Sequence, residues 1–299
     1  LKALDIGSGD EVITATNSFI ASAWVVAATG ATPVLVDVRE DFNIDPVCIE
    51  AAITSKTRAV IPVHLTGRPA PMDEINTLAQ RHGIHVLEDA AQAIGARYRG
   101  RRVGSLGLAA GFSLHPLKNL GVYGDGGIIT TNDSQLDAKL RKLRNHGLRN
   151  RDECEMWGFN SRLDSLQAIF AEIKIGHLDE WNSRCREIAD MYRLGLKDYV
   201  QVPVDQHWEE CVYHNFVIRT ERRDKLMAYL KLSGVDTRVH YPIPIHMQDA
   251  ASDLGYNKGS FPNAERYASI MMSLPIYPEL SNDEVNYVVT SVKAFFEKI

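Results

Sequence analysis

Through the first half of the chain, short runs rich in Val, Ile and Ala alternate with segments whose apolar residues recur at helical spacing. The runs fall at 12–14, 33–38, 59–65, 85–89, 109–114 and 127–131, and the segments 19–29, 46–53 and 72–82 lie between the early ones. Neighbouring parallel strands need a crossover connection, most often a helix, and strands covered on both faces are apolar throughout. The alternation therefore predicts an α/β fold, a mainly parallel sheet sandwiched by helices. Local chemistry agrees at 45–46, where Asp45 offers an N-cap and Pro46 suits the first helical position.

The second half has a different pattern. Leu163, Leu166, Phe170 and Ile173 form one helical stripe, and Trp181, Cys185, Ile188 and Tyr192 form another. Together they predict one long or kinked helix bridging two domains, 1–180 as the larger and 181–299 as a smaller α+β domain. Beyond Val200 the pattern gives a strand at 213–219, a helix at 224–232, a Pro-rich loop at 240–246 and a terminal helix from Asn282. Leu1-Lys2-Ala3-Leu4 reads as the last turn of a helix, so the large domain is expected to have further sequence upstream.

Composition removes several functions. The 299 residues include 33 Lys and Arg against 38 Asp and Glu, a net charge of −5 with no basic patch, which argues against a nucleic-acid partner. The most apolar stretch, 19–38, is interrupted by Thr29, Gly30, Thr32 and Pro33 and reads as a helix then a strand, so no membrane association is expected. Cys48, Cys154, Cys185 and Cys211 form no CxxC pair and read as free thiols of a reducing compartment, the cytoplasm. The pairs His207/His214 and His240/His246 match no common ligand spacing, and no metal site is expected.

Open α/β sheets bind ligands beyond the carboxyl ends of their strands, which directs attention to the residues following each run. Asp89 closes the run at 85–89 and either caps a helix starting at Ala90 or faces a bound group. Lys118 follows a strand and a Pro-containing bend; it is either a solvated surface amine or, at the end of a buried sheet, an amine nucleophile of lowered pKa. The glycines at 121–127 enter a strand instead of opening a helix, so a turn explains them better than a dinucleotide site. Asp37 sits where a Rossmann fold holds a ribose, but no glycine fingerprint precedes it.

Three blocks together resemble the DegT/DnrJ/EryC1/StrS sugar aminotransferases, which use pyridoxal 5'-phosphate (PLP) on the fold-type I scaffold. They are EDAAQ at 88–92, FSLHPLKNL at 112–120 with GDGG at 124–127, and LRNHG…GFNSRL spanning 143–163. GDEVITATNSFIAS at 9–22, VHLTG at 63–67 and HYPIPIHMQ at 240–248 fit the same pattern, so the resemblance covers essentially the whole chain. It implies that Lys118 is the lysine joined covalently to PLP and that Asp89, 29 positions earlier, pairs with the pyridine nitrogen. Gln92 matches the residue beside the cofactor's 3-hydroxyl and Ser113 a phosphate ligand. Phe19 matches the aromatic ring laid over the pyridine, and Asn160 an asparagine that reaches the phosphate of the other subunit's cofactor. A homodimer with shared active sites follows from that last role.

These roles suit the residue types, because a carboxylate keeps the ring nitrogen protonated and a free amine of lowered pKa carries a proton. Phe19 can equally be core, and Asn160 a cap or turn residue. His115, Tyr241 and His246 are candidate substrate contacts, the histidines equally readable as structural. Family members carry a Gly-Thr pair at a helix start for the cofactor phosphate, and that segment is expected upstream of Leu1. Sugar dehydratases of this fold have histidine in place of the lysine, and Lys118 speaks against that chemistry. The resemblance thus implies ping-pong transfer from an amino acid, L-glutamate, to a keto or aldehyde sugar. PLP would alternate with pyridoxamine 5'-phosphate, and a nucleotide-linked deoxysugar is the expected acceptor. A non-nucleotide sugar (an inosose or octulosonate aldehyde) and a non-catalytic dimeric relative are the alternatives.

Overall fold

The computed structural model describes residues 1–297. The first four strands, β1 (Glu11–Ala15), β2 (Thr32–Val36), β3 (Thr57–Ile61) and β4 (His85–Asp89), are mutually parallel where they pair. The crossovers α1 (Ala21–Ala27), α2 (Pro46–Ala52) and α3 (Met72–His82) connect them. A short hairpin, β5 (Arg97–Tyr98) and β6 (Arg101–Arg102), leads to β7 (Ala109–Ser113) and β8 (Gly127–Thr131). The six long strands form one sheet in the order β2-β1-β3-β4-β7-β8, with β8 antiparallel at its edge. Ile13, Val60, Ile49, Met72 and Ile75 are buried in its core, which is the α/β arrangement the alternation predicts.

The chain continues through α4 (Ser134–Leu143), α5 (Ser165–Ile175) and α6 (Leu178–Leu196). After β9 (Glu209–Glu210) come β10 (Phe216–Arg219), α7 (Arg223–Leu232), α8 (Pro262–Ile270), β11 (Met271–Leu274) and α9 (Asn282–Glu297). β10 and β11 form an antiparallel pair. Around it Ile188, Tyr192, Phe216, Leu226, Leu230 and Val292 build a second core. The long or kinked helix expected across 163–192 is broken into two helices, with the interruption at Gly176 and His177. Glycine is a poor helix former, and the two stripes face different surroundings. Leu166, Ile169 and Ile173 of α5 are exposed, whereas Cys185, Ile188 and Tyr192 of α6 enter the second core. Residues 245–271 return to the large core through Ile245, Phe261, Tyr267 and Met271. Among the described residues no helix is long and apolar enough to cross a membrane.

Asp37 holds this return in place. Its Oδ1 accepts from the N–H groups of Val38 and Ala264, each at 2.9 Å, and its Oδ2 from the Asn263 N–H at 3.0 Å. It caps the N-terminus of α8 from a distant strand end, because Phe261 at the helix's own N-cap supplies no side-chain acceptor. A ribose-holding role is thereby replaced by a structural one. Asp37→Ala is expected to lower unfolding free energy by about 1–2 kcal/mol, read as a reduced urea midpoint; an unchanged midpoint would refute the capping role.

Candidate active site

The ends of β4 and β7 and the loop that follows β7 surround a cavity of about 1220 Å³. The loop doubles back on itself, since the Leu114 N–H donates to Gly126 O and the Val122 N–H donates to Leu114 O, each at 2.9 Å. Leu114, Leu120 and Val122 are buried against Ala171 and Leu178. At Gly121 a Cβ would lie 2.3 Å from Pro116 O, so the backbones can pass only with glycine there. Within this loop the His115 N–H donates to Ser113 Oγ at 3.2 Å, and the Lys118 N–H donates to His115 O at 2.8 Å. A locked turn therefore presents Lys118 to the cavity.

Asp89 lines the same cavity. Ser22 Oγ donates to its Oδ2 at 2.7 Å, and the Ala91 N–H donates to its Oδ1 at 3.2 Å. A turn, not a helix, follows it, so the expected helix from Ala90 is absent and the carboxylate combines a local turn with exposure to the cavity. Gln92 Oε1 accepts from the Thr66 N–H at 2.7 Å, and its Nε2 donates to Tyr241 Oη at 3.2 Å. The Tyr241 ring lies 5.5 Å from that of Phe19, centroid to centroid. Phe19 precedes α1 and is 53% exposed, so the core alternative for it does not hold.

Phe19, Asp89, Gln92, Ser113, His115, Lys118 and Tyr241 thus share one wall system. Two candidates do not. His246 is buried away from the cavity, with Nδ1 2.8 Å from Thr16 Oγ1 and Nε2 3.1 Å from Glu265 Oε1. It bridges Thr16, just after β1, to Glu265 of α8, and is a structural residue instead of the expected substrate contact. Asn160 is exposed beside the cavity-lining Phe159, and its Oδ1 accepts from Arg162 Nε at 2.9 Å. The structure adds His214, Asn215, Arg238 and His240, all from the second half. Arg238 and His240 share a face of an extended segment, a period-two signal present in the sequence. His214 depends on Tyr213 taking a φ of +48°, for which the sequence offers no cue.

Burial lowers the proton affinity of the Lys118 amine, and the nearby Asp89 charge opposes it without reversing the result. Burial, with the Lys118 charge next, pushes His214 down to about 3. The same two causes, followed by Arg238, lower His240. Burial raises the Tyr241 phenol, so it keeps its proton while its oxygen accepts from Gln92 Nε2.

The chain matches the model of the DegT/DnrJ/EryC1/StrS aminotransferase family over residues 1–293. It is 47% identical over 302 residues to the dTDP-3-amino-3,4,6-trideoxy-alpha-D-glucose transaminase of Streptomyces venezuelae, covering 100% of this chain and 80% of that protein. The crystal structure of S. venezuelae DesV superimposes with a TM-score of 0.97 at 47% identity, covering 100% of this chain and 81% of the other. The PMP form of a sugar aminotransferase from Streptococcus pneumoniae aligns with a TM-score of 0.94 at 26% identity, covering 100% and 83%.

The amine's balance between burial and Asp89 can be measured without any ligand. Acylation of Lys118 by acetic anhydride, followed by peptide mass spectrometry across pH, is expected to show a midpoint below the ordinary lysine range. Asp89 favours the ammonium form, so Asp89→Asn should move the midpoint lower still. A midpoint in the ordinary lysine range, or an upward move in the variant, would refute the electrostatic account.

Proposed function

Because this chain belongs to the DegT/DnrJ/EryC1/StrS aminotransferase family, we propose that it moves an amino group from L-glutamate to a nucleotide-linked keto deoxysugar. The transfer is ping-pong, with PLP as cofactor, and takes place in the cytoplasm. The observation that carries this reading is the convergence of Lys118 and Asp89 on one cavity, with the amine's proton affinity lowered.

The donor set suits PLP. Asp89, held by Ser22 and the Ala91 N–H, offers a fixed carboxylate for a cationic ring nitrogen. Phe19 offers an apolar face, Gln92 Nε2 points toward Tyr241 and the cavity, and Ser113 offers a hydroxyl beside the lysine loop. When bound, PLP supplies an electron sink for the charge left on a substrate carbon that has lost its proton. Lys118, as the free amine, would take that proton at Nζ and give it back on the same face when the amine is passed on, which its lowered proton affinity favours. Asp89 keeps a proton on the ring nitrogen, and Phe19 and Tyr241 fix the plane in which the reacting atoms meet.

The wider architecture supports a homodimer. Leu166, Ile169 and Ile173 on α5, with Leu117, Trp157 and Phe159 nearby in sequence to the site, leave large apolar side chains exposed. A second copy covering them would carry Asn160 toward its partner's cofactor phosphate. Residues 1–180 then act as the cofactor-binding unit and 181–299 as the smaller unit that closes it.

The absorption spectrum of the purified protein with PLP, before and after L-glutamate, tests the reaction. A visible band bleached by L-glutamate is expected, and Lys118→Ala should slow the bleaching by about 10²–10⁴-fold. Absence of any band in the wild type would favour a non-catalytic relative. Mixing Lys118→Ala with Asn160→Ala subunits tests the shared site. Activity above that of either parent is expected, since a mixed dimer contains one site with both residues intact. No recovery would mean that Asn160 serves no partner.

A further inference from the structure

Among the described residues two cationic side chains of very different standing line the cavity, Lys118 and Arg238. Lys118 lies in the locked loop beside Asp89. Arg238 stands at the mouth with its side chain 72% exposed, and its ion pair is with Asp236, 2.9 Å away and 73% exposed. Solvent weakens such a pair, so the guanidinium is available to a better-placed anion.

Its backbone, by contrast, is fixed. The Arg238 N–H donates to Ser273 O at 3.3 Å, and the Ser273 N–H donates to Arg238 O at 2.7 Å, which ties the segment to β11. His240, two residues on, is held to the same serine, Nδ1 to Oγ at 2.9 Å. Arg238 and His240 therefore face the cavity together, while Val239 packs against the large core. His240 feels the charges of both Lys118 and Arg238, which line the same cavity.

We infer that Arg238 is a shared anchor for the distal anion of both substrates, and that it thereby selects a dicarboxylate amino donor. The inference rests on the aminotransfer reading above. Ping-pong exchange brings the two substrates in turn to one reacting point beside Lys118. In L-glutamate a second carboxylate lies a few bonds from the α-carbon. In a nucleotide-linked keto sugar the diphosphate lies a few bonds beyond the carbonyl carbon. A guanidinium at the mouth, on a long flexible stem, meets either anion with paired N–H donors. L-Glutamine presents a neutral amide at the same distance and gains less from that charge. No covalent step involves Arg238; it binds and orients.

The test compares wild type with Arg238→Gln and Arg238→Lys in two measurements. In the first, the bleaching of the PLP-loaded protein is titrated with L-glutamate and with L-glutamine. The preference for L-glutamate is expected to fall about tenfold in Arg238→Gln, through KM and not kcat. In the second, dTDP is titrated calorimetrically against each protein, and affinity should again fall about tenfold with a shallower salt dependence. Arg238→Lys should retain part of both. Loss with only one ligand would overturn the shared anchor, and no loss with either would make Arg238 a solvated surface residue. If the wild type is bleached by no amino acid, the aminotransfer reading fails on its own account. The dTDP titration would then still decide whether Arg238 holds a phosphate.

Discussion

The buried carboxylate of Glu88 ties β4 to the backbone at 104–107 and to His64. Its Oε1 accepts from the Leu106 and Gly107 N–H groups, each at 2.7 Å, and its Oε2 from the Gly104 N–H at 2.8 Å and His64 Nε2 at 3.0 Å. The side chain has no exposed surface, so the ion's lost hydration must be replaced bond for bond. Burial pushes its pKa up, while His64 and the backbone amides pull it down; the hydrogen bonds win, and it lies below the usual carboxylate range. The stabilisation is therefore present above the ordinary carboxylate range and is lost as pH falls through the lowered value. His64 is itself fixed by the Ala70 N–H, which donates to its Nδ1 at 2.9 Å. Since successive strand residues point to opposite faces, holding Glu88 on one side of β4 sends Asp89 to the other, into the cavity.

A second constraint joins the two halves of the chain. Thr66 and Gly67 both have positive φ, 63° and 91°, and a Cβ on Gly67 would lie 2.8 Å from Val212 Cγ2 and 2.9 Å from the His214 nitrogen. The second half docks directly onto this backbone, through the Val212 N–H to Gly67 O and the Asn215 N–H to Thr66 O. The opposite edge of the same turn sets Gln92 through the Thr66 N–H. Arg68 then pairs with Asp205 and Glu209, each at 3.1 Å, and Arg193 and Tyr213 also bond Asp205. Glu209 is pushed up to about 7 by burial, against the pull of Arg68, so this clamp is a costly one held by geometry. The placement of His214 and Asn215 on the cavity wall depends on it.

What could be read in the sequence follows the range of the interactions involved. β4, β8 and α3 have the ends their local patterns indicate, and Pro46 opens α2 with the Asp45 side chain accepting from the Val47 N–H at 2.9 Å. The EDAAQ and SLHPLKN blocks are contiguous, so Asp89, Gln92, Ser113 and Lys118 could be named without knowing the fold. Long-range effects could not. Asp37 caps a helix more than two hundred residues away, and α8 and β11 meet at Ile270 and Met271 with no intervening turn signal. His246 looked like a pocket residue because its motif is adjacent to Tyr241. Three residues of 3-10 helix at Ile245–Met247 turn it inward to Thr16 and Glu265 instead.

The proposed aminotransfer accounts for a buried lysine and an exposed arginine lining one cavity. An amine that must give up and regain a proton needs an environment able to shift its pKa, and burial near Asp89 supplies one. A group that only binds anions should never lose its charge, and an exposed guanidinium meets that requirement. His214 and His240, on the same cavity wall, avoid adding positive charge, because both are held below the usual imidazole range. Were they protonated, each would repel the Lys118 ammonium and would compete with Arg238 for incoming anions. Uncharged, they leave Lys118 and Arg238 as the cationic side chains among the described residues of the lining. On the proposed reading, an anionic substrate is oriented by where it can be neutralised, before any bond changes.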